Sequence, residues 1–437
     1  MASMMELIEE LWFLKRDLVS DDYDRALARL GKEVPMTVHS VPSGAKIWTW
    51  TVPDKWTCRE AWLETLDGQR LIDYADHPLH LVSYSQPFDG EISRTDLLPH
   101  LHGHPHLPEA IPFVFKYYQA DWGLCAPQAL IDSLDQARYR VKIDTVFESG
   151  ELKVGEVFVQ GEIDDCFVLA AHLDHPAMVN DDLSGVVVGL EVMRQLLAGP
   201  QPHYSYRFLI LPETQGSIAY LSQHEDLIPS MRGGLFLEML GTDAPHALQL
   251  SYQETSAADG ALALALLERE PDVHIGPLRT IIDNDERQFN APGVRVPMLS
   301  LSRVVDAHTE ESRFRPYPEY HSSLDSPAIV SQARLADSCD TVLALLRAFD
   351  QTRYLVNHYK GEVFASGFGL WVDYRQDPEG HRRHFRIMDR IDGTRTAADI
   401  AFELDCSLAE VNAVVDPMIE KGLVTLSDQP QPTDPHR

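Results

Sequence analysis

Residues 168–185 decide the fold, and they read Val-Leu-Ala-Ala-His-Leu-Asp-His-Pro-Ala-Met-Val-Asn-Asp-Asp-Leu-Ser-Gly. The apolar residues 167–171 predict a buried strand, and the residues after Ser184 predict a helix that Ser184 caps. We therefore expect His172 and Asp181 at the carboxyl edge of a sheet, where open α/β sheets bind their ligands. Imidazole and carboxylate groups at such an edge predict a metal site, and a hydrolytic zinc site in particular.

Later segments add metal-binding side chains at the ends of predicted strands. Glu213 follows the apolar residues 206–211, and Glu238 follows the apolar residues 234–237. A late histidine, His321, follows a tyrosine and precedes two serines. A catalytic zinc ion usually has three protein ligands and a water molecule, so these donors are sufficient for a zinc site. The alternative is that the loop histidines bind nothing and the aspartates only cap a helix.

Length and composition predict a cytoplasmic protein of two or three domains. The 437 residues include 37 Lys and Arg against 67 Asp and Glu, a net charge of −30, which disfavours nucleic acid and anionic membranes as partners. No stretch approaches the roughly 18 apolar residues of a membrane span, and residues 1–16 lack the order of regions in a signal peptide. Five cysteines without a Cys-x-x-Cys pair indicate reduced thiols.

The patterns of apolar residues, turns and prolines divide the chain into segments. We expect N-terminal helices that pack on the core at 1–36, a small β-rich subdomain at 37–126, an α/β catalytic core at 127–355, a winged-helix-like domain at 361–426, and a disordered tail at 427–437. The third helix of the winged-helix-like domain, residues 407–420, contains no Lys or Arg. We therefore expect that domain to contact protein, for example in a homo-oligomer, rather than DNA.

The motifs between residues 165 and 330 resemble, in the same order, those of zinc-dependent aminopeptidases that share a fold with glutamate carboxypeptidase and glutaminyl cyclase. The matching segments are His172-Leu173-Asp174, Asn180-Asp181-Asp182-Leu183-Ser184-Gly185, Glu213-Thr214, Glu238-Met239-Leu240-Gly241, and Tyr320-His321-Ser322-Ser323-Leu324-Asp325. The whole chain also resembles a bacterial family of aminopeptidase-like proteins, sometimes labelled as polysaccharide-biosynthesis proteins. These resemblances imply an α/β fold with a zinc-exopeptidase-like three-layer αβα core around a mixed sheet, a small β-rich subdomain and a C-terminal winged helix.

The resemblance to the aminopeptidases implies a role for each matched residue. His172 and Glu238 would hold one zinc ion, Asp181 would bridge, and His321 would bind a second zinc ion. Glu213 would be the general base. Zinc brings the pKa of a bound water molecule near neutrality, and a nearby carboxylate can then accept the proton.

Residues next to these ligands leave alternatives open. Asp174 would orient His172 through its second ring nitrogen, and Asp182 is a further residue that either supports the ligands or binds metal. Thr214 departs from the family pattern, because a second glutamate binds the second zinc there. The chain therefore holds either one or two zinc ions, and His175 either replaces the missing ligand or only packs or binds substrate.

Five residues are candidates for substrate binding. Asp285 or Glu286 would bind the free amine of an aminopeptidase substrate. Arg287 would pair either with a substrate carboxylate or with neighbouring aspartates. Tyr317 and Tyr320 either line the substrate pocket or are buried structural residues.

These observations predict a zinc-dependent, aminopeptidase-like hydrolase that cleaves a peptide or a small-molecule amide. Metal-activated water would attack the amide, and Glu213 would serve as the base. The alternative is a catalytically silent or sensor-type protein that binds metal or ligand and uses its winged helix as an interaction module. Thr214 is the residue that keeps this alternative open.

Overall fold

The computed structural model describes residues 2–431, so the end of the predicted tail, residues 432–437, lies outside the described part. The helices are α1 Met4–Leu11, α2 Asp21–Leu30, α3 Arg94–Leu97, α4 Gln128–Asp132, α5 Leu183–Ala198, α6 Gln215–Gln223, α7 Ala257–Arg269, α8 Glu286–Asn290, α9 Gln332–Asp350, α10 Ala365–Phe368, α11 Pro378–Met388, α12 Ala397–Leu404 and α13 Leu408–Glu420. The strands are β1 Thr37–Pro42, β2 Lys46–Ile47, β3 Trp50–Thr51, β4 Lys55–Thr65, β5 Arg70–Asp73, β6 Phe88–Ser93, β7 Leu101–His102, β8 Leu124–Cys125, β9 Arg138–Glu148, β10 Glu151–Val159, β11 Cys166–His172, β12 Ser205–Leu211, β13 Met231–Glu238, β14 His246–Gln249, β15 His274–Gly276, β16 Met298–Arg303, β17 Tyr354–Asn357 and β18 Val424–Ser427.

A large mixed sheet with the strand order β1-β10-β12-β11-β13-β16-β14-β15 forms the centre of the molecule. Its middle strands β12, β11, β13 and β16 are parallel to one another, whereas β1, β10 and β14 pair with antiparallel neighbours. Because parallel strands end at the same edge, the carboxyl ends of these middle strands lie side by side. The candidate site lies at this edge.

Both faces of the central strand β11 are covered. Phe167 and Leu169 pack with apolar residues of α1, α2, α5, α7 and α9 on one face. Val168 and Ala170 pack with residues of α6, α8 and the second sheet on the other face. Strands that are covered on both faces consist of nearly continuous apolar residues, as 167–171 do. This arrangement confirms the predicted α/β fold class with a large mixed sheet.

The second sheet is antiparallel and has the order β5-β4-β9-β6. Strand β9 lies beyond residue 126, where the sequence placed a domain boundary, yet it pairs with β4 and β6. Strand β1 lies before that boundary, yet it pairs with β10 in the large sheet. The composition of the sheets therefore does not follow the boundary at residue 126.

The C-terminal helices α11, α12 and α13 enclose a small apolar core of their own, which contains Ile387, Ile400, Val411 and Met418. Strand β17, which follows α9, pairs with β18 after these helices. The winged-helix assignment of this region stays a prediction. Of the helices in residues 2–431, none has the length and apolar character to cross a membrane.

Candidate metal centre

The carboxyl edge of the large sheet brings together the residues that the sequence singled out. His172 is the last residue of β11, Glu238 is the last residue of β13, and Glu213 follows β12. Asp181 lies in the loop before α5, and His321 lies in a later loop. His172, Glu238 and Asp181 are buried. The side chains of Glu213 and His321 are 29% and 30% exposed. The cluster thus has a buried end and an end that is open to solvent.

Three imidazole rings surround the carboxylate of Asp181. His172 Nε2 lies 2.8 Å and His175 Nδ1 lies 3.1 Å from Asp181 Oδ1. His321 Nε2 lies 3.0 Å from Asp181 Oδ2. His172, His175 and Asp181 each place one donor atom within 4.8 Å of the others, a spacing that fits one metal ion. His175, whose role the sequence left open, therefore belongs to this compact group.

Unsatisfied atoms show that the cluster fits a cation. Glu238 Oε2 is a buried atom without a hydrogen-bond partner in residues 2–431, and Asp181 Oδ2 and His321 Nε2 face each other at 3.0 Å without the geometry of a hydrogen bond. A buried polar atom without a partner is costly, and a buried carboxylate oxygen more so. Imidazole nitrogens and carboxylate oxygens are the ligands that zinc takes in proteins, so this donor set fits a zinc ion.

The electrostatics of the cluster centre on Asp181. Burial by itself raises the pKa of Asp181, but His175, His172 and His321 outweigh burial and lower that pKa well below its usual range. Burial lowers the pKa of His175, yet Asp181 raises it well above its usual value. For Glu238, burial raises the pKa well above its usual range. Asp181 is therefore the anion at the centre, whereas at Glu238 the effect of burial outweighs that of the nearby His172.

Asp325 holds the loop that carries Asp181. Its carboxylate accepts hydrogen bonds from the backbone N–H groups of Val179, Asn180 and Asp181 at 3.2, 2.7 and 3.1 Å. The hydroxyl of Tyr317 donates to the same carboxylate at 2.7 Å. Tyr317 is buried and supports this loop, in keeping with the structural one of its two expected roles.

Two residues that sequence reasoning missed also support the centre. Arg16 is buried, and its Nη2 donates to the backbone oxygens of His175 at 2.6 Å and Met178 at 3.0 Å. The ring of Phe113 packs on His175 and His321, with centroid distances of 5.2 and 5.4 Å. The signal available for Arg16 was an arginine next to an apolar helix, which is too common to indicate this role.

Asp182 caps helix α5. Its Oδ1 accepts from the backbone N–H groups of Gly185 at 3.0 Å and Met239 at 3.1 Å. The expectation that Ser184 caps this helix is wrong, because Ser184 lies within the first turn and its hydroxyl donates to Asn180 O at 2.8 Å. Asp182 therefore connects the helix to the turn after β13.

Asp285, rather than Asp174, faces the second ring nitrogen of His172. Asp174 Oδ1 instead accepts from the backbone N–H of Glu213 at 2.7 Å. Asp285 Oδ2 lies 3.6 Å from His172 Nδ1, while its Oδ1 accepts from the backbone N–H of Thr214 at 2.8 Å. The expected contact between Asp174 and His172 is thus replaced by one to Asp285, because Asp174 fixes the turn after β12.

Glu213 lies next to this group at the open end. Its Oε2 is 3.3 Å from His175 Nε2. Burial raises the pKa of Glu213, but the hydrogen bond with His175 and the nearby His172 outweigh burial and lower the pKa to about 2. Glu213 is therefore ionised at neutral pH.

Asp285 and Glu286, which were expected to bind a substrate amine, form hydrogen bonds within the protein instead. Asn284 donates its side-chain N–H to Glu238, and its backbone N–H donates to both oxygens of Glu286 at 3.0 Å. Gln249 also donates to Glu286 at 3.1 Å, and burial raises the pKa of Glu286 to about 7. Asp285 and Glu286 are both fully buried, which leaves neither of them free to contact a substrate.

Arg287 and Tyr320 lie at the open rim. Arg287 Nε donates to Asn284 O at 2.6 Å, and its Nη2 donates to Thr214 Oγ1 at 3.1 Å. The ring of Tyr320 stacks on His321 with a centroid distance of 3.9 Å and an interplanar angle of 15°. The hydroxyl of Thr214 therefore accepts a hydrogen bond from Arg287.

Comparisons with known proteins match this fold along nearly the whole chain. A family model described as "Domain of unknown function (DUF4910)" matches residues 5–352. A Clostridium acetobutylicum protein, provisionally named a polysaccharide biosynthesis protein with aminopeptidase-like domain, is 30% identical over 437 residues, which cover 97% of this chain and 96% of the relative.

Two solved structures extend the comparison. A crystal structure of a provisionally named peptidase from Clostridium acetobutylicum is 28% identical, with a TM-score of 0.78 and coverage of 97% of this chain and 96% of that chain. The zinc aminopeptidase BSAP from Bacillus subtilis is 16% identical, with a TM-score of 0.57 and coverage of 78% of this chain and 93% of its own. At that lower identity the likeness shows the fold alone.

Proposed function

The chain belongs to the DUF4910 family, and we propose that it is a zinc-dependent hydrolase of amide bonds. The observation that carries the proposal is the carboxylate of Asp181 among the rings of His172, His175 and His321, with Glu213 beside them. The likeness to a provisionally named peptidase that is 28% identical supports the reaction class.

The compact group of His172, His175 and Asp181 would hold the first zinc ion. Glu238 lies at the adjoining strand end, and His321 faces the second oxygen of Asp181, where a second ion would find its donors. When bound, zinc would polarise the amide carbonyl and lower the pKa of a water molecule. A bound ion would also satisfy the buried Glu238 Oε2, which has no hydrogen-bond partner in residues 2–431.

Glu213 would move the proton. Its carboxylate is ionised, partly exposed and held by His175, so it can accept a proton from the attacking water. The water oxygen forms a bond to the carbonyl carbon, the C–N bond breaks, and Glu213 passes the proton to the leaving nitrogen. The products are a carboxylate and an amine.

A metal-binding protein without turnover is the second candidate. Thr214 favours it, because its hydroxyl accepts a hydrogen bond from Arg287 and a hydroxyl is a poorer zinc ligand than a carboxylate. Such a protein would retain zinc and cleave none of the amides.

The two candidates are separated by assaying zinc-loaded and chelator-treated protein on a panel of aminoacyl amides and N-acyl amino acids. We expect cleavage that is lost on chelation and restored by zinc in the wild type, but not restored in His172→Ala. Zinc-loaded protein that cleaves no amide supports the second candidate, and cleavage that persists after chelation contradicts a metal-dependent reaction.

A further inference from the structure

Arg287 places a positive charge next to the proposed base. Its Nη2 lies 4.0 Å from Glu213 Oε1, and the side chains of the two residues are 26% and 29% exposed. A substrate amide that Glu213 can reach therefore lies within reach of the guanidinium group. Of the three charged residues assigned to substrate binding from the sequence, Asp285 and Glu286 are fully buried, and Arg287 is partly exposed.

The guanidinium group is fixed by residues that belong to the metal centre. Asn284, whose side chain binds Glu238, accepts from Arg287 Nε at 2.6 Å. Thr214, whose backbone N–H binds Asp285, accepts from Nη2 at 3.1 Å. These bonds leave Nη1 without a hydrogen-bond partner among residues 2–431. The planar fork is held in place and retains donors for a ligand.

Thr214 keeps the charge of Arg287 available. A carboxylate at position 214, as the resemblance to two-zinc enzymes implies, would form an ion pair with the guanidinium group. The hydroxyl of Thr214 accepts one hydrogen bond and neutralises no charge. Glu213 and Asp283 offer partial compensation, since Glu213 Oε1 lies 4.0 Å from Nη2 and Asp283 Oδ1 lies 3.6 Å from Nε. Asp283 also faces Arg279 at 3.5 Å.

The centre offers little for a substrate ammonium group. Asp285 and Glu286, the acids expected to bind a free amine, are fully buried and hydrogen-bonded within the protein. Asp283 is paired with arginines on two sides. Because Asp283 is paired with arginines, Arg287 is the partly exposed charged group next to the base with hydrogen-bond donors left for a ligand.

We infer that Arg287 binds a carboxylate of the substrate. This inference rests on the proposed function and specifies it: the substrates are N-acyl amino acids, or peptides cleaved next to a free carboxyl end, rather than peptides with a free N-terminal amine. A planar guanidinium fork matches the two oxygens of a carboxylate.

The test measures binding by calorimetry to zinc-loaded protein that carries Glu213→Gln, so that neither probe is cleaved. The probes are N-acetylphenylalanine and its carboxamide. We expect the carboxylate to bind at least about tenfold more tightly, the size of one charge-assisted hydrogen bond. This preference should disappear when Arg287→Gln is added and remain with Arg279→Gln. Arg279 is the matched control, because it contacts the same Asp283 and is 57% exposed.

Arg287→Lys covers the case in which Arg287→Gln fails to fold. Lysine keeps the charge but not the fork, so the preference for the carboxylate should fall without vanishing. Equal affinity for the two probes, or a preference that survives Arg287→Gln, overturns the inference.

Different results would contradict the hydrolase activity and the role of Arg287. Cleavage of aminoacyl amides in preference to N-acyl amino acids leaves the hydrolase intact and overturns the role of Arg287. A carboxylate preference that requires Arg287, in a protein that cleaves no amide, supports that role and contradicts the hydrolase.

Discussion

Asp181 and Asp399 are both buried carboxylates, but their surroundings differ. Asp181 is contacted by three imidazole rings, those of His172, His175 and His321. These rings lower the pKa of Asp181 against the effect of burial. The Asp181 carboxylate is therefore kept charged, and it lies among nitrogen donors that bind zinc.

Asp399 lies where helix α12 packs on helix α7, and no histidine bonds to it among residues 2–431. Its Oδ2 accepts from the backbone N–H of Thr396 at 2.8 Å, while its Oδ1 has no partner in the same residues. A Cβ added at Gly260 would lie 2.5 Å from that Oδ1, so only glycine permits this contact. Burial raises the pKa of Asp399 to about 7. Burial of a carboxylate alone therefore does not indicate a zinc site, and it is the nitrogen donors around Asp181 that do so.

The largest expected effect is on turnover, and it distinguishes the metal centre from the region around Asp399. Glu213→Gln removes the proton acceptor but keeps the shape, so turnover should fall by roughly a hundredfold or more with zinc retained. Rates on the best amide of the panel, with zinc analysis of the same samples, check this prediction. Asp399→Asn is the matched change far from the centre, and its turnover should equal that of the wild type. Loss of zinc in Glu213→Gln would instead identify Glu213 as a ligand.

The second effect concerns stability. A ligand at one hundred times its dissociation constant stabilises the folded state by about 2.7 kcal/mol, so chelation should lower the melting temperature of a chain of this length by roughly 3 °C. Scanning calorimetry with and without chelator measures the difference. Asp181→Asn should melt at the same temperature in both conditions. A chelator effect of equal size in Asp181→Asn would place the metal elsewhere.

A further effect is expected at Asp399, on the pH dependence of stability. Its folded-state pKa of about 7 lies above the ordinary value of 3.8, so the protonated carboxyl favours the folded state. That contribution is complete below about pH 4 and is lost as pH rises through 7. The stability gained by Asp399→Asn should therefore grow between pH 4 and pH 7 and then level off. A gain that is independent of pH in urea titrations would contradict this assignment.

Local sequence patterns were sufficient for the elements that carry the centre. The apolar residues 167–171 predicted β11, which extends over Cys166–His172, because a strand covered on both faces needs such a run. Residues 206–211 and 234–237 likewise predicted β12 and β13. The donors that follow these strands meet because the strands are parallel neighbours.

Contacts between distant parts of the chain could not be predicted in this way. Asp285 faces His172 across more than a hundred residues of sequence, and Arg16 binds the loop of His175 from the N-terminal segment. A single sequence offers Asp174 as the nearer partner for His172, and only the fold shows that Asp174 is bound to the turn after β12. The sequence predicted Ser184 as the cap of α5, whereas the structure has Asp182. This error has a local cause, because serine and aspartate side chains can both cap a helix.

The central claim is that the histidines around Asp181 form a zinc site, and zinc analysis of purified protein tests it most directly. Wild type, Asp181→Asn and Asp399→Asn would be measured by plasma mass spectrometry after dialysis, with circular dichroism to confirm folding. We predict about one zinc ion or more per chain in the wild type and in Asp399→Asn, and almost none in Asp181→Asn. Equal zinc content in all three proteins, or none in the wild type after exposure to zinc, would contradict the account.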